Sequence, residues 1–242
     1  MSNDIAIQDV TALALRDKMN QRLDERTAQL ELADNPGAII APTILTVRRL
    51  GGVGASLLGA ALEYLLKSPM FRIEVGGAAC PALKNRAGTD YHHFPSGDPD
   101  RVDKALDARL QAGSTPAIIE FEPALYQSTL DIATALKRQV SPSSVVIFYI
   151  AGQHDPRPKY ETNAVSRGLA DIYICRQASQ SCEDDPDGLI KLPWLDQSLV
   201  SRMMREGLSL VDALKQSERL WTANVTRSNL EAFGTALWRA EQ

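Results

Sequence analysis

Cysteine is scarce: three residues in 242, Cys80, Cys175 and Cys182, an odd and scattered set. That favours reduced thiols, as in cytoplasm, over a disulfide framework. Long apolar runs are absent as well, so the sequence predicts no span across a bilayer. The start, Met1-Ser2-Asn3-Asp4, has no basic stretch leading into an apolar one, and no secretory signal is expected. An excess of positive charge is lacking too. With 26 Lys and Arg against 30 Asp and Glu, the formal net charge is −4, which gives no global pull towards nucleic acid or an anionic surface. Aromatic residues make up only 6%, but 44% of the chain is hydrophobic and 23% charged, as in an ordinary globular domain with a sizeable core.

What is present is an alternation of apolar runs and amphipathic stretches. Six strands are expected, beginning near residues 43, 71, 117, 144, 171 and 189. Pro42 sets the start of the first near Thr43. Helices are expected over 57–67, 100–111, 125–140, 160–169, 197–205, 209–221 and 228–238. Strands alternating with helices predict an α/β fold, a doubly wound, mainly parallel sheet with helices on both faces. Residues 1–37 stand apart as an N-terminal helical extension, with Val10, Leu13, Met19, Leu23 and Leu30 at helical spacing and a stop at Asp34-Asn35-Pro36-Gly37. That helix packs on the domain of residues 38–242 or docks a partner. Both readings stand.

The stretch that organises the rest is Leu50-Gly51-Gly52-Val53-Gly54-Ala55-Ser56, which follows the first strand and opens the first long helix. Strand, glycine turn, helix is the setting in which backbone N–H groups and a helix N-terminus cradle phosphate. The phosphate-loop pattern needs a lysine just before the hydroxyl residue, and Ala55 stands there.

These residues resemble the deviant Walker A loop of the ParA/MinD ATPases, a SIMIBI-class P-loop fold, and the likeness extends over about residues 43 to 194. The resemblance places Leu50 where that family has its signature lysine and Ala55 where it has the phosphate-loop lysine. Ser56 matches the magnesium ligand. On the second strand Glu74 matches the earlier acid of an Asp-x-Asp motif, while Gly76 replaces the later one, which positions the attacking water. Glu120 stands in the Walker B position, and Gly188 to Trp194 matches a last strand and adenine-contacting loop. Loss of both lysines removes cations that balance the β- and γ-phosphates. The resemblance thus implies a degenerate, P-loop NTPase-like scaffold, a non-hydrolysing protein that serves as an interaction or positioning factor. The settings are those of the family: plasmid partition, conjugation, or placement of cell-envelope machinery. A protein partner and a homodimer are implied, with no catalytic residue and no cofactor.

Two alternatives remain open from sequence. One is a weak ATPase that binds ATP or ADP with magnesium through Ser56, Glu74 and Glu120, with Arg48 or Arg49 supplying charge. The other is non-specific DNA binding through Arg202, Arg205, Lys215, Arg219, Arg227 and Arg239 in the C-terminal helices. For Glu120 and Glu122 the plainer reading is that of strand-end acids with structural partners. Residues 76–99 read as a functional loop, in which Asp90, His92, His93 and Asp98 have zinc-ligand types without ligand spacing. His154 with Asp155, and the acidic turn Glu183 to Asp187, read as loop features.

Overall fold

The structure is a computed structural model that describes residues 42–48, 54–68, 70–86, 90–113, 115–126, 128–139, 145–152, 172–176 and 189–240. The N-terminal extension, residues 49–53 of the glycine turn, the 160–169 helix, His154, Asp155 and the 183–187 turn lie outside them.

Seven parallel strands form one sheet in the order β3-β2-β4-β1-β5-β6-β7. They are β1 (Thr43–Arg48), β2 (Phe71–Val75), β3 (Tyr91–Phe94), β4 (Ala117–Phe121), β5 (Val145–Ala151), β6 (Ile172–Arg176) and β7 (Ile190–Lys191). The central strands read as apolar runs because helices cover both of their faces. On one face α1 (Ala55–Leu66) packs with the short α2 (Pro81–Lys84) and the C-terminal helices α5 (Gln197–Glu206), α6 (Leu210–Lys215) and α7 (Leu220–Ala240). On the other lie α3 (Arg101–Gln111) and α4 (Thr129–Gln139). The fold is the doubly wound α/β architecture that the alternation predicts.

Helix α1 is apolar nearly all round because it is sandwiched. Leu58, Ala61, Leu62 and Leu65 are buried between the sheet and the C-terminal helices. At α7, Gly234 lets Leu65 approach so closely that an added Cβ would lie 3.0 Å from its Cδ2. On the opposite face Arg109 of α3 is fully buried and donates from Nε to Thr43 Oγ1 at 2.6 Å and from Nη1 to the Gly113 carbonyl at 3.1 Å. Burial lowers its pKa to about 10.

Several boundaries differ from the sequence reading. Residues 76–99 are not all loop, since they hold α2 and the edge strand β3. The helix expected over 125–140 begins at Thr129, after a 3-10 turn at Pro123–Leu125. The helix expected over 209–221 ends at Lys215, and α7 begins at Leu220 rather than Ser228. The interruption at Gln216–Arg219 is fastened by Arg202, whose Nη1 donates to the Gln216 carbonyl at 2.6 Å.

Candidate functional site

The chain leaves β1 through α1 towards β2 on one side and leaves β4 through α4 towards β5 on the other. The β1/β4 boundary is therefore the switch point of the sheet, where ligands of open α/β folds bind at the carboxyl ends of strands. One register row crosses it, with Glu74 beside Glu120 and Glu120 beside Thr46. Because side chains alternate along a strand, Arg72 shares the face of Glu74 one step below, beside Ile118. All four point towards α1.

Helix α1 starts at Gly54, whose φ of +95° is the left-handed turn that only glycine adopts without strain. Ala55 is buried, and Ser56 then faces the sheet. Its hydroxyl donates to Glu120 Oε2 at 3.0 Å. The other oxygen, Glu120 Oε1, accepts from Arg72 Nη2 in a buried ion pair whose side chains are 2% and 1% exposed. Glu74 Oε2 accepts from the Tyr91 hydroxyl and from the Cys80 N–H, the latter at 2.8 Å. Glu63, two turns further along α1 than Ser56, pairs with Arg86 at 2.8 Å. A cavity of about 20 Å³ lies between Ser56, Glu63, Arg72, Cys80, Arg86 and Met203. Space of that size suits water and not a nucleotide.

Two carboxylates on neighbouring strands repel each other when both are charged. Burial pushes the Glu74 pKa up, and Glu120 pushes it further, against the opposing pull of Tyr91, Cys80 and Arg72. For Arg72, burial is opposed by Glu120, Glu63 and Glu74, which together hold the guanidinium above its ordinary value. Burial also raises the Cys80 thiol, which remains protonated. A pH prediction follows for Glu74. A carboxyl raised in the folded state contributes stability that is complete below its unfolded value and is lost as pH rises through its folded value. Glu74→Gln is therefore expected to gain stability relative to the native chain as pH rises from 4 to 8 in urea titrations. A gap that stays flat or shrinks would contradict the upward shift of Glu74.

No family model and no curated protein matches the chain. Among solved structures it is similar to the signal recognition particle receptor FtsY from Elizabethkingia anophelis, at 15% identity and a TM-score of 0.37, over 92% of this chain and 72% of that one. It is also similar to a LAO/AO transport system kinase, at 12% identity and a TM-score of 0.34, over 98% of this chain and 83% of that one.

Of the residues singled out from sequence, the structure brings Ser56 and Glu120 into contact and sets Glu74 in the next strand. Leu50, Gly51, Gly52 and Val53 fall outside the described residues. Gly76 adopts a φ of +85° and lies so close to the Glu122 carboxyl group that a Cβ would overlap it. Glu122 Oε2 accepts from Ser96 at 2.6 Å and from the Gly77 N–H at 3.2 Å, and its other oxygen lies 3.3 Å from Arg101. Both strand-end acids thus have structural partners. His92 stacks between Phe71 and Phe94, and His93 Nε2 lies 3.2 Å from the Gly77 carbonyl. No cluster of metal-ligating side chains occurs among the described residues, and none of their helices is long and apolar enough to cross a membrane.

Three of the candidate DNA contacts have side-chain partners on the C-terminal helices. Arg202 and Arg205 both bind Glu206, at 3.1 and 2.8 Å, and Arg227 donates to Asn224 at 3.1 Å. Lys215, Arg219 and Arg239 are exposed, with the exposed acids Asp212 and Glu218 nearby in the chain.

The residue that sequence reasoning passed over is Arg72. Its signal was available: an arginine inside the apolar strand Phe71–Val75, two positions before an acid on the same face. Ser56, Glu74 and Glu120 are all engaged by partners within the protein. The Glu120 carboxylate is engaged by a guanidinium, and Ala55, in the first turn of α1, is buried.

Proposed function

We propose that this protein is a non-hydrolysing relative of the ParA/MinD ATPases that acts as an interaction or positioning factor, in plasmid partition, conjugation or the placement of cell-envelope machinery. The observation that carries the reading is the closed polar network at the start of α1. Ser56 binds Glu120, Glu120 binds Arg72, and Glu74 is taken up by Tyr91 and Cys80. Phosphoryl transfer depends on cations placed against the phosphates and on a residue that orients the nucleophile. Here the one buried cation of the network faces a carboxylate, and Gly76 stands where the resembled family orients water. The scaffold keeps its shape without the switch, which leaves its surface as the functional part, in dimer or partner docking.

The test is calorimetric titration of ATP and ADP with magnesium into the native protein and into Leu50→Lys with Ala55→Lys. No heat of binding is expected for the native chain. The double-lysine variant is expected to show no hydrolysis, because Glu120 remains bound to Arg72. Micromolar, magnesium-dependent binding by the native protein would overturn the reading.

One observation favours a second reading, a weak nucleotide-binding enzyme. Arg48 ends β1 beside the glycine turn, and its buried Nε has no hydrogen-bond partner among the described residues. An arginine there meets an anion differently from a lysine in the first helical turn. Loss of any measured nucleotide affinity in Arg48→Ala would assign it that role.

A further inference from the structure

A fully buried arginine in the middle of a parallel sheet is costly unless the fold is shaped to receive it. This one is received. Gly59 lies on the face of α1 directly over Arg72, and a Cβ there would overlap the terminal guanidinium atoms. Glycine in a helix interior weakens the helix relative to alanine, and every immediate neighbour of Gly59, from Leu57 to Ala61, is a good helix former or apolar packing residue. The glycine is a notch. The guanidinium that fills it binds the same carboxylate that Ser56 binds, so hydroxyl, carboxylate and cation are joined in one chain. A hydroxyl and a carboxylate brought together are also what a hard divalent ion takes as ligands.

We propose that Arg72 is a resident cation, seated in the notch at Gly59, which takes the place of a divalent metal between Ser56 and Glu120 and makes this end of α1 metal-independent. The proposal deepens the non-hydrolysing reading and rests on it. It accounts for three features together: an arginine on an interior strand, a glycine in the middle of α1, and two adjacent buried acids with no metal cluster among the described residues. Arg72 also retains two buried nitrogens, Nε and Nη1, without acceptors among the described residues. An arginine chosen only for hydrogen bonding would not leave them so. One placed for its charge can.

The probe is Mn²⁺ alone, with no nucleotide, followed by the loss of its free electron paramagnetic resonance signal and by thermal unfolding. The native protein is expected to bind none at Glu120 and to keep its melting temperature in millimolar Mn²⁺. Arg72→Ala leaves Ser56, Glu74 and Glu120 around a guanidinium-sized space. It is expected to bind about one equivalent, to melt higher with the ion than without it, and to lose about tenfold in affinity on adding Glu120→Gln. Mn²⁺ binding by the native chain that Glu120→Gln abolishes would overturn the proposal. So would a folded Arg72→Ala that binds none.

Should Arg72→Ala fail to fold, Gly59→Ala decides. It is expected to lower the melting temperature of the native chain, where it strikes the guanidinium. In Arg72→Met with Glu120→Gln, where the notch is empty and the better helix former prevails, it is expected to raise it. The same sign in both backgrounds would refute the notch. Failure of the two readings is distinguishable. Metal-independent nucleotide hydrolysis by the native protein would end the non-hydrolysing reading and leave the resident cation standing, whereas Glu120-dependent Mn²⁺ binding without nucleotide affinity would do the reverse.

Discussion

Arg72→Met is expected to destabilise the protein by about 3–5 kcal/mol, because it strands a carboxylate that has almost no access to water. The Glu120 side chain is 2% exposed, Glu74 lies beside it in register, and its remaining hydrogen bond, from Ser56, does not offset the lost charge. For a chain of this size the melting temperature falls by roughly 10 °C. Glu120→Gln alone is expected to cost a comparable amount, since it removes the carboxylate charge paired with a fully buried guanidinium. The double variant removes both charges and is expected to lie within about 1 kcal/mol of the native protein, as neutral replacements of buried ion pairs often do. Urea denaturation of the four proteins gives the coupling directly. Simple additivity would mean that the pair contributes nothing as a pair.

This cluster also shows where sequence reading reached and where it stopped. The strand starts at Thr43, Phe71 and Ala117 were legible because each follows a breaker or a turn and continues as an apolar run. The edge strand β3 was not. Tyr91-His92-His93-Phe94 is short, pairs with β2 alone, and has half-buried and exposed positions in place of a continuous buried run. Its histidines satisfied ligand chemistry on paper, but His92 spends its ring on a stack between two phenylalanines. The breaks in the C-terminal helices escaped for another reason. Leu220 and Trp221 fit the apolar count of a continuing helix, yet they are 75% and 81% exposed at the start of α7, and Ser209 caps a much shorter α6.

At the site, Ser56 and Glu120 could be placed on the right elements from the strand–turn–helix pattern, and Glu74 on the right strand. Their relation depended on something no single stretch encodes, the register that sets Glu74 against Glu120 across two strands separated by 46 positions in sequence. Without that register Arg72 is one charged residue in a strand. With it, Arg72 sits one step below two carboxylates and under a glycine. A long-range parallel pairing is what turns four unremarkable positions into a charge network.

Gly207→Ala is expected to cost about 3 kcal/mol. Gly207 ends α5 with a φ of +65°, donating its N–H to the Met203 carbonyl at 3.0 Å. A side chain there bears two separate penalties. The left-handed conformation costs an L-residue about 1 kcal/mol. In addition, the Cβ would overlap the Asn85 carbonyl and come within 2.8 Å of the Arg86 nitrogen, backbone atoms just past the end of α2. Backbone does not swing aside as a side-chain tip does, so α2 and α5 must separate. Gly113→Ala is the control. It has a φ of +56° with nothing within 4 Å of the added carbon, and it is expected to show the conformational cost alone, about 1 kcal/mol. The excess at Gly207 measures how firmly α5 is seated on α2. Because α2 begins at Cys80, whose N–H holds Glu74, the same substitution is expected to loosen the hydrogen bond that keeps Glu74 apart from Glu120. Urea denaturation of both variants checks the difference, and equal costs would show that the close approach at Gly207 carries no strain.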